Sequence, residues 1–152
     1  MPDCIFVGGG VIGLLAERQL NAEGVDLLLL EKGPLGGESS WAGGGIISPL
    51  YPWRYDDAVN VLAERSKKIY PDLSRQLFAE TGKDCELITS GLLTVVAADV
   101  KNILDWAKKW SVEASFIDDI DTIRALESTV GEGVNQGIWM PEVMQVRNPT
   151  LF

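Results

Sequence analysis

The sequence contains no histidine, which removes the Ser-His-Asp triad, imidazole-ligated metals and an imidazole general base together. Cysteine is scarce as well. Cys4 and Cys85 stand far apart and form no Cys-x-x-Cys pair, so there is neither a disulfide framework nor a zinc site to read. Cys4, inside an apolar run, reads as a small buried residue of a strand. Basic residues are outnumbered, 13 Lys and Arg against 22 Asp and Glu, for a net charge of −9. A surface this acidic argues against nucleic acid and anionic membranes as partners. No apolar run reaches transmembrane length, and no basic n-region precedes the short apolar run at the N-terminus. The chain therefore reads as soluble and cytoplasmic. Hydrophobic residues make up 46% of 152, enough for the core of one ordinary domain.

The most informative stretch runs from Cys4 to Lys32. Cys4-Ile5-Phe6-Val7 is an apolar run of the length of one buried parallel strand. Gly8-Gly9-Gly10-Val11-Ile12-Gly13 then fits G-x-G-x-x-G. Ile12, Leu15, Ala16, Gln19 and Leu20 recur at helical spacing and predict a helix with one face on a sheet. Gly24 marks its end, a second apolar run covers Val25 to Leu30, and Glu31 follows. Strand, glycine turn, helix, strand and acid, with the acid roughly 20 residues beyond the turn, is the context a dinucleotide requires. Gly8 permits the tight turn, Gly10 a close backbone approach to a pyrophosphate, and Gly13 close packing of helix on strand. Free N–H groups at the helix start attract phosphate, aided by a dipole worth about 0.3–1 kcal/mol. Glu31 can accept both hydroxyls of a ribose, and its charge repels a 2′-phosphate, which argues against NADP.

Gly33 to Gly45 is glycine-rich, with Ser39-Ser40 and Trp41, and leads directly into Ile46-Ile47 and the rigid aromatic segment Ser48 to Tyr55. Linkers seldom lead into such a cluster, and a glycine loop lets backbone approach a flat ring. Gly8 to Gly13, Glu31-Lys32 and above all Glu38-Ser39-Ser40-Trp41-Ala42-Gly43-Gly44-Gly45-Ile46-Ile47-Ser48-Pro49-Leu50-Tyr51-Pro52-Trp53 resemble the FAD-dependent D-amino-acid oxidase family. Within it the nearest resemblance is to the bacterial glycine oxidases of thiamine biosynthesis. The resemblance implies FAD as cofactor. It assigns the ADP half to Gly8, Gly10, Val11, Ile12, Gly13, Glu31 and Lys32, pyrophosphate or ribitol contacts to Ser39 and Ser40, and the flavin surroundings to Ala42, Gly43, Gly44, Gly45 and Ile46.

Further along, a helix is expected from Asp56 to about Thr81 with Val59, Leu62, Ala63, Ile69, Leu73, Leu77 and Phe78 on its apolar side. Pro71 is expected to kink or break it, and Gly82 to end it. Cys85 to Thr89 and Leu92 to Ala97 read as a hairpin around Ser90-Gly91. Asp99 caps a helix to Trp110 whose stripe is Ile103, Leu104, Trp106 and Ala107, with Trp106 and Trp110 as packing residues. Phe116-Ile117 is a short strand, and Asp118, Asp119 or Asp121 caps a helix through Glu127. That acidic cluster lacks the spacing of a calcium loop. Gln136 to Met140 and Met144 to Val146 read as strands. Asn148-Pro149 is a helix start with no helix behind it, from which a truncated chain is expected.

These readings combine into an α/β fold: a Rossmann-like FAD-binding parallel sheet begun by residues 1–47, then part of a mixed α+β substrate domain over 48–152. The resemblance implies oxidation of a small amino acid, glycine or a D-amino acid. Hydride passes from Cα to the flavin, the imine is hydrolysed, and oxygen is reduced to hydrogen peroxide. It also implies a homo-oligomer when complete. The family's carboxylate-binding arginine and substrate tyrosine have no match here, so no catalytic residue is assigned, and Arg54 and Arg147 read as surface or ion-pair residues. An FAD amine dehydrogenase with another electron acceptor, and a non-catalytic nucleotide-binding piece, are the alternative classes.

Overall fold

The computed structural model describes residues 1–95 and 99–147. β1 (Cys4–Val7) and β2 (Leu27–Leu30) pair in parallel, Cys4 opposite Leu27 through Val7 opposite Leu30, and α1 (Val11–Ala22) crosses between them. The expected second strand thus starts two residues late, at Leu27. Gly24 has φ +84°, the left-handed turn that ends α1 after its cap residue Glu23. Cys4, Phe6, Leu27 and Leu29 form the half-buried face of the pair, and Ile5, Val7, Leu28 and Leu30 the exposed one. Cys4 is therefore half-buried rather than a core residue.

Two antiparallel sheets follow. β8 (Met144–Gln145) lies between β3 (Ile46–Ile47) and β4 (Ile88–Thr89). β7 (Gly137–Met140) lies between β5 (Leu92–Val95) and β6 (Ser115–Ile117). The hairpin expected around Ser90-Gly91 does not form: β4 pairs with β8 and β5 with β7, so the chain changes sheet at Gly91. The first of its two strands shrinks to Ile88–Thr89, while Cys85 sits buried with Ile47 and Val146. The end of the second, 96–97, lies outside the described residues, as do Asn148 and Pro149. Gly91 makes the sheet change possible. Its φ is +72°, its N–H donates to Val143 O at 3.0 Å, and an added Cβ would lie 1.9 Å from the Trp139 ring. Gly91→Ala is expected to cost about 1–3 kcal/mol, from left-handed strain plus displacement of that ring. Chemical denaturation is the measurement, and an unchanged midpoint would show that the turn tolerates a side chain.

α2 (Asp57–Thr81) runs without interruption through Pro71, so the expected break is absent, and Gly82 ends it at φ +71°. The expected apolar side was right only in part, with Ala63, Leu73 and Leu77 half-buried. Val59, Leu62, Ile69 and Phe78 are exposed, whereas Asn60 is the helix's buried residue and Ala63, Glu64, Lys67 and Tyr70 line cavities beneath it. Asn60 explains the choice. Its amide donates to Pro52 O at 3.1 Å and accepts from Trp106 Nε1 at 3.2 Å, joining the single 3₁₀ turn Pro52–Arg54, α2 and α3 (Val100–Trp110). A buried polar group so satisfied fixes the rotation of the helix more firmly than apolar spacing does.

The main core lies under α3, where Ile103, Ile138, Met140 and Val143 meet Trp53, Leu92, Leu104 and Trp106. The expected α3 stripe, including Ala107, is present. Asp119 is the residue that caps α4 (Ile120–Leu126), accepting the Thr122 N–H at 2.8 Å. Arg18 of α1 donates to Glu80 at 3.0 Å and Gln76 at 3.2 Å, tying the parallel unit to the end of α2. No described helix is long and apolar enough to cross a membrane. No group of acidic or cysteine ligands that could hold a metal occurs among the described residues.

Candidate cofactor site

The site begins with the turn between β1 and α1. Gly8 has φ +110°, which a side chain would resist, and its N–H donates to Leu30 O at 2.9 Å. Gly13 lies so close beneath this turn that an added Cβ would stand 2.1 Å from the Gly8 carbonyl oxygen. Together these two residues let α1 start directly on the strand end. Gly10 is the N-cap of α1 in extended backbone and has no side chain to cap with. The cap comes instead from 29 residues away, as the Val11 N–H donates to Ser40 Oγ at 3.0 Å. Ser40 therefore stands at the positive end of the helix, and an added Cβ at Gly10 would lie 3.1 Å from its oxygen.

Glu31, just beyond β2, closes the other side. One carboxylate oxygen accepts the Gly9 N–H at 2.6 Å and the other the Gly33 N–H at 2.9 Å. The Gly9 bond first, then the Gly33 bond, hold its pKa below the ordinary carboxylate range. Each oxygen retains a lone pair, so the carboxylate can brace the turn and still accept from a ligand hydroxyl. Gly36 completes the frame: buried, with φ +66°, it donates its N–H to Gly9 O at 2.8 Å. A cavity of ≈160 Å³ is lined by Gly9, Gly10, Glu31, Gly36, Ser39 and Ser40, with Pro34, Gly37 and Glu38 at its edge.

A larger cavity of ≈380 Å³ opens where the same loop continues. Gly43, Gly44 and Gly45 form one side, and Ile46, Ile47, Ser48, Leu50, Tyr70 and Val146 the rest. A Cβ built on Gly44 meets nothing within 4 Å, so this backbone is open to an incoming surface. Tyr70 packs against Ile47, Cys85 and Val146. Burial, then the neighbouring Cys85, raise the pKa of its phenol. Within nine residues the segment 37–45 thus passes from a polar cavity at a helix N-terminus to an apolar one beside bare backbone.

The structure gathers most, not all, of the residues singled out in the sequence. Gly10, Glu31, Ser39 and Ser40 line the first cavity, and Gly43, Gly44, Gly45 and Ile46 the second. Gly8 and Gly13 shape the turn, and Val11 contributes its N–H. Ile12 does not join the buried face of α1, being 83% exposed, and Gln19 is exposed too. Lys32 is exposed and pairs with Glu38 at 2.8 Å. Ala42 lines neither cavity, and its N–H donates to Glu38 O. Arg54 and Arg147 pair with Asp99 at 3.6 Å and Glu86 at 2.9 Å. Sequence reasoning missed Gly36 and Tyr70. Gly36 carried a signal, as one glycine of a loop that must fold back on the first turn, whereas Tyr70 carried none.

A strand-turn-helix-strand unit with a braced carboxylate and a phosphate-sized cavity at the helix start defines a dinucleotide-binding α/β protein. The comparisons narrow this. The family description "FAD dependent oxidoreductase" matches residues 3–152, and the chain belongs to that family. It is 44% identical over 147 residues to the glycine oxidases of Pseudomonas aeruginosa and Pseudomonas putida, covering 97% of this chain and 40% of theirs. Among solved structures, the glycine oxidase of Bacillus cereus is 27% identical with a TM-score of 0.86, over 99% of this chain and 41% of that one. The chain thus spans about 40% of the length of the relatives it matches.

Proposed function

We propose that this chain holds FAD and takes part in the oxidation of a small amino acid, glycine or a D-amino acid, to its oxo acid with release of hydrogen peroxide. The observation that carries the reading is the pair of cavities joined by one glycine-rich segment, polar at the α1 terminus and apolar at Gly43–Gly45. The glycine oxidases at 44% identity support the substrate class. In this reading residues 1–47 open the FAD domain and the remainder contributes to a substrate domain of a cytoplasmic enzyme.

FAD when bound supplies a two-electron acceptor for the Cα hydride and a donor to oxygen. In balance, the amino acid loses two electrons and two protons, oxygen gains them as hydrogen peroxide, and water converts the imine to oxo acid and ammonia. The chain's own contribution is placement. Ser40 accepts the Val11 N–H and so stands at the positive end of the helix, where a phosphate oxygen would be received. Glu31 receives the adenosine ribose, and bare backbone from Gly43 to Gly45 lies against the ring. An absorbance spectrum of the purified protein tests the cofactor, and peroxide release on addition of glycine tests the reaction. A colourless protein that takes up no FAD on reconstitution would refute the proposal.

Glu31→Ala separates the ribose role from the bracing role. FAD affinity should fall about tenfold or more, as for loss of hydrogen bonds to a charged group. FMN lacks that ribose and should lose much less. Equal losses, measured by fluorescence titration, would leave Glu31 as a brace for Gly9 and Gly33 alone. The same carboxylate sets an acid limit. Its pKa is lowered in the folded state, so its contribution is complete above the ordinary carboxylate range and fades as pH falls through the lowered value.

A further inference from the structure

The ≈380 Å³ cavity has a neighbour of ≈210 Å³ lined by Pro49, Ala63 and Ser66, and the two share Ile46, Ile47, Ser48 and Tyr70. That shared wall is formed by two isoleucines, a serine and a tyrosine. Its two hydroxyls differ in what they are free to do. Ser48 Oγ donates to Pro49 O at 3.1 Å, so its hydrogen is committed. The Tyr70 hydroxyl makes no hydrogen bond among the described residues. Its ring is nonetheless held in place, between Ile47, Cys85 and Val146, in the middle of α2. Cys85 in turn donates to Ser74 Oγ at 3.2 Å, one helical turn further along. A half-buried donor whose ring is held in place on the wall shared by two open cavities has the form of a ligand contact.

We infer that Tyr70 is a positioning residue for the ring system that lies against Gly43–Gly45, donating its phenol O–H to a nitrogen or oxygen acceptor on the ring's edge. The inference rests on the proposed reading of the two cavities as one extended FAD site. Burial keeps the phenol protonated, hence a donor, throughout the physiological range.

The test separates the two claims by comparing ADP with FAD. ADP reports only on the cavity at Gly10 and Glu31, and the ratio of FAD to ADP affinity reports on everything beyond it. Calorimetric titration of Tyr70→Phe should show ADP affinity unchanged and FAD affinity lower by about two- to tenfold, the range for one neutral hydrogen bond. The visible band of bound flavin should shift as well. Tyr55→Phe, which removes an exposed phenol oxygen, should change neither. An unchanged FAD-to-ADP ratio and spectrum in Tyr70→Phe would overturn the role of Tyr70 and leave the dinucleotide reading standing. Equal loss of ADP and FAD affinity would make Tyr70 structural and overturn it too. A parent protein that binds ADP but no tighter FAD would overturn the second cavity as ring site, and Tyr70 with it. A parent that binds neither would sink both readings.

Discussion

Gly10→Val is expected to fold and to retain no flavin. The residue has φ −80° and ψ 178°, an extended conformation that valine adopts without strain. Glycine at a helix N-cap is worth about 1 kcal/mol or less over an apolar residue, so the stability loss should be small. The cavity is another matter. Its first new carbon would lie 3.1 Å from Ser40 Oγ, and two further methyls would follow it into ≈160 Å³ of space. Overpacking costs about 1–3 kcal/mol even where neighbours adjust. That corresponds to roughly a five- to 150-fold loss of affinity before any phosphate contact is counted. Displacement of Ser40 would also uncap Val11, removing the hydroxyl assigned to the phosphate. Circular dichroism and flavin absorbance of the purified variant decide the matter. A yellow Gly10→Val protein with full FAD occupancy would mean that this turn does not hold the pyrophosphate.

What could be read from sequence divides along a physical line. The β1-α1-β2 unit was legible almost to the residue, because glycines at 8 and 13 are demanded by local backbone geometry. The acid at 31 was legible for the same reason, since it ends a strand whose length the apolar run sets. The strong apolar stripe of α3 and the Asp119 cap of α4 were also readable, whereas Asp99, at the start of α3, makes no side-chain capping hydrogen bond.

Strand partners were not. β4 and β5 are separated by only two residues, as in a hairpin, yet Thr89 pairs with Met144 and Leu92 with Met140. Nothing local distinguishes a turn that closes a hairpin from one that hands the chain to another sheet. α2 failed differently. Apolar spacing placed Leu62 and Ile69 inside, but Asn60 and its four polar partners set the rotation, and their positions depend on Pro52 and Trp106 elsewhere in the chain. With Ile69 rather than Tyr70 placed inside, Tyr70 was hidden from any reading of the site. Ser40 was anticipated by resemblance to the family, but its capping of Val11 was not, because capping is read locally and this cap comes from a distant loop.

The largest effect on the fold should come from Gly13→Ala. Two terms oppose each other. Replacing glycine by alanine within a helix normally gains about 1 kcal/mol through propensity. Here the added Cβ would lie 2.1 Å from the Gly8 carbonyl oxygen and 3.3 Å from its carbon. The obstacle is backbone, which cannot rotate away as a side-chain end can, and Gly8 is itself held by its N–H bond to Leu30 O. Helix α1 would have to lift from the end of β1, and the cost should reach about 3 kcal/mol or more, the upper end of overpacking penalties. The clash wins over the propensity gain. The damage should also be directed: lifting α1 moves Val11 away from Ser40, so nucleotide affinity should fall with stability. Urea unfolding and ADP titration of the same variant give the two numbers. A Gly13→Ala protein as stable as its parent, binding ADP equally well, would show that the close seat of the helix on the strand is not what shapes this site.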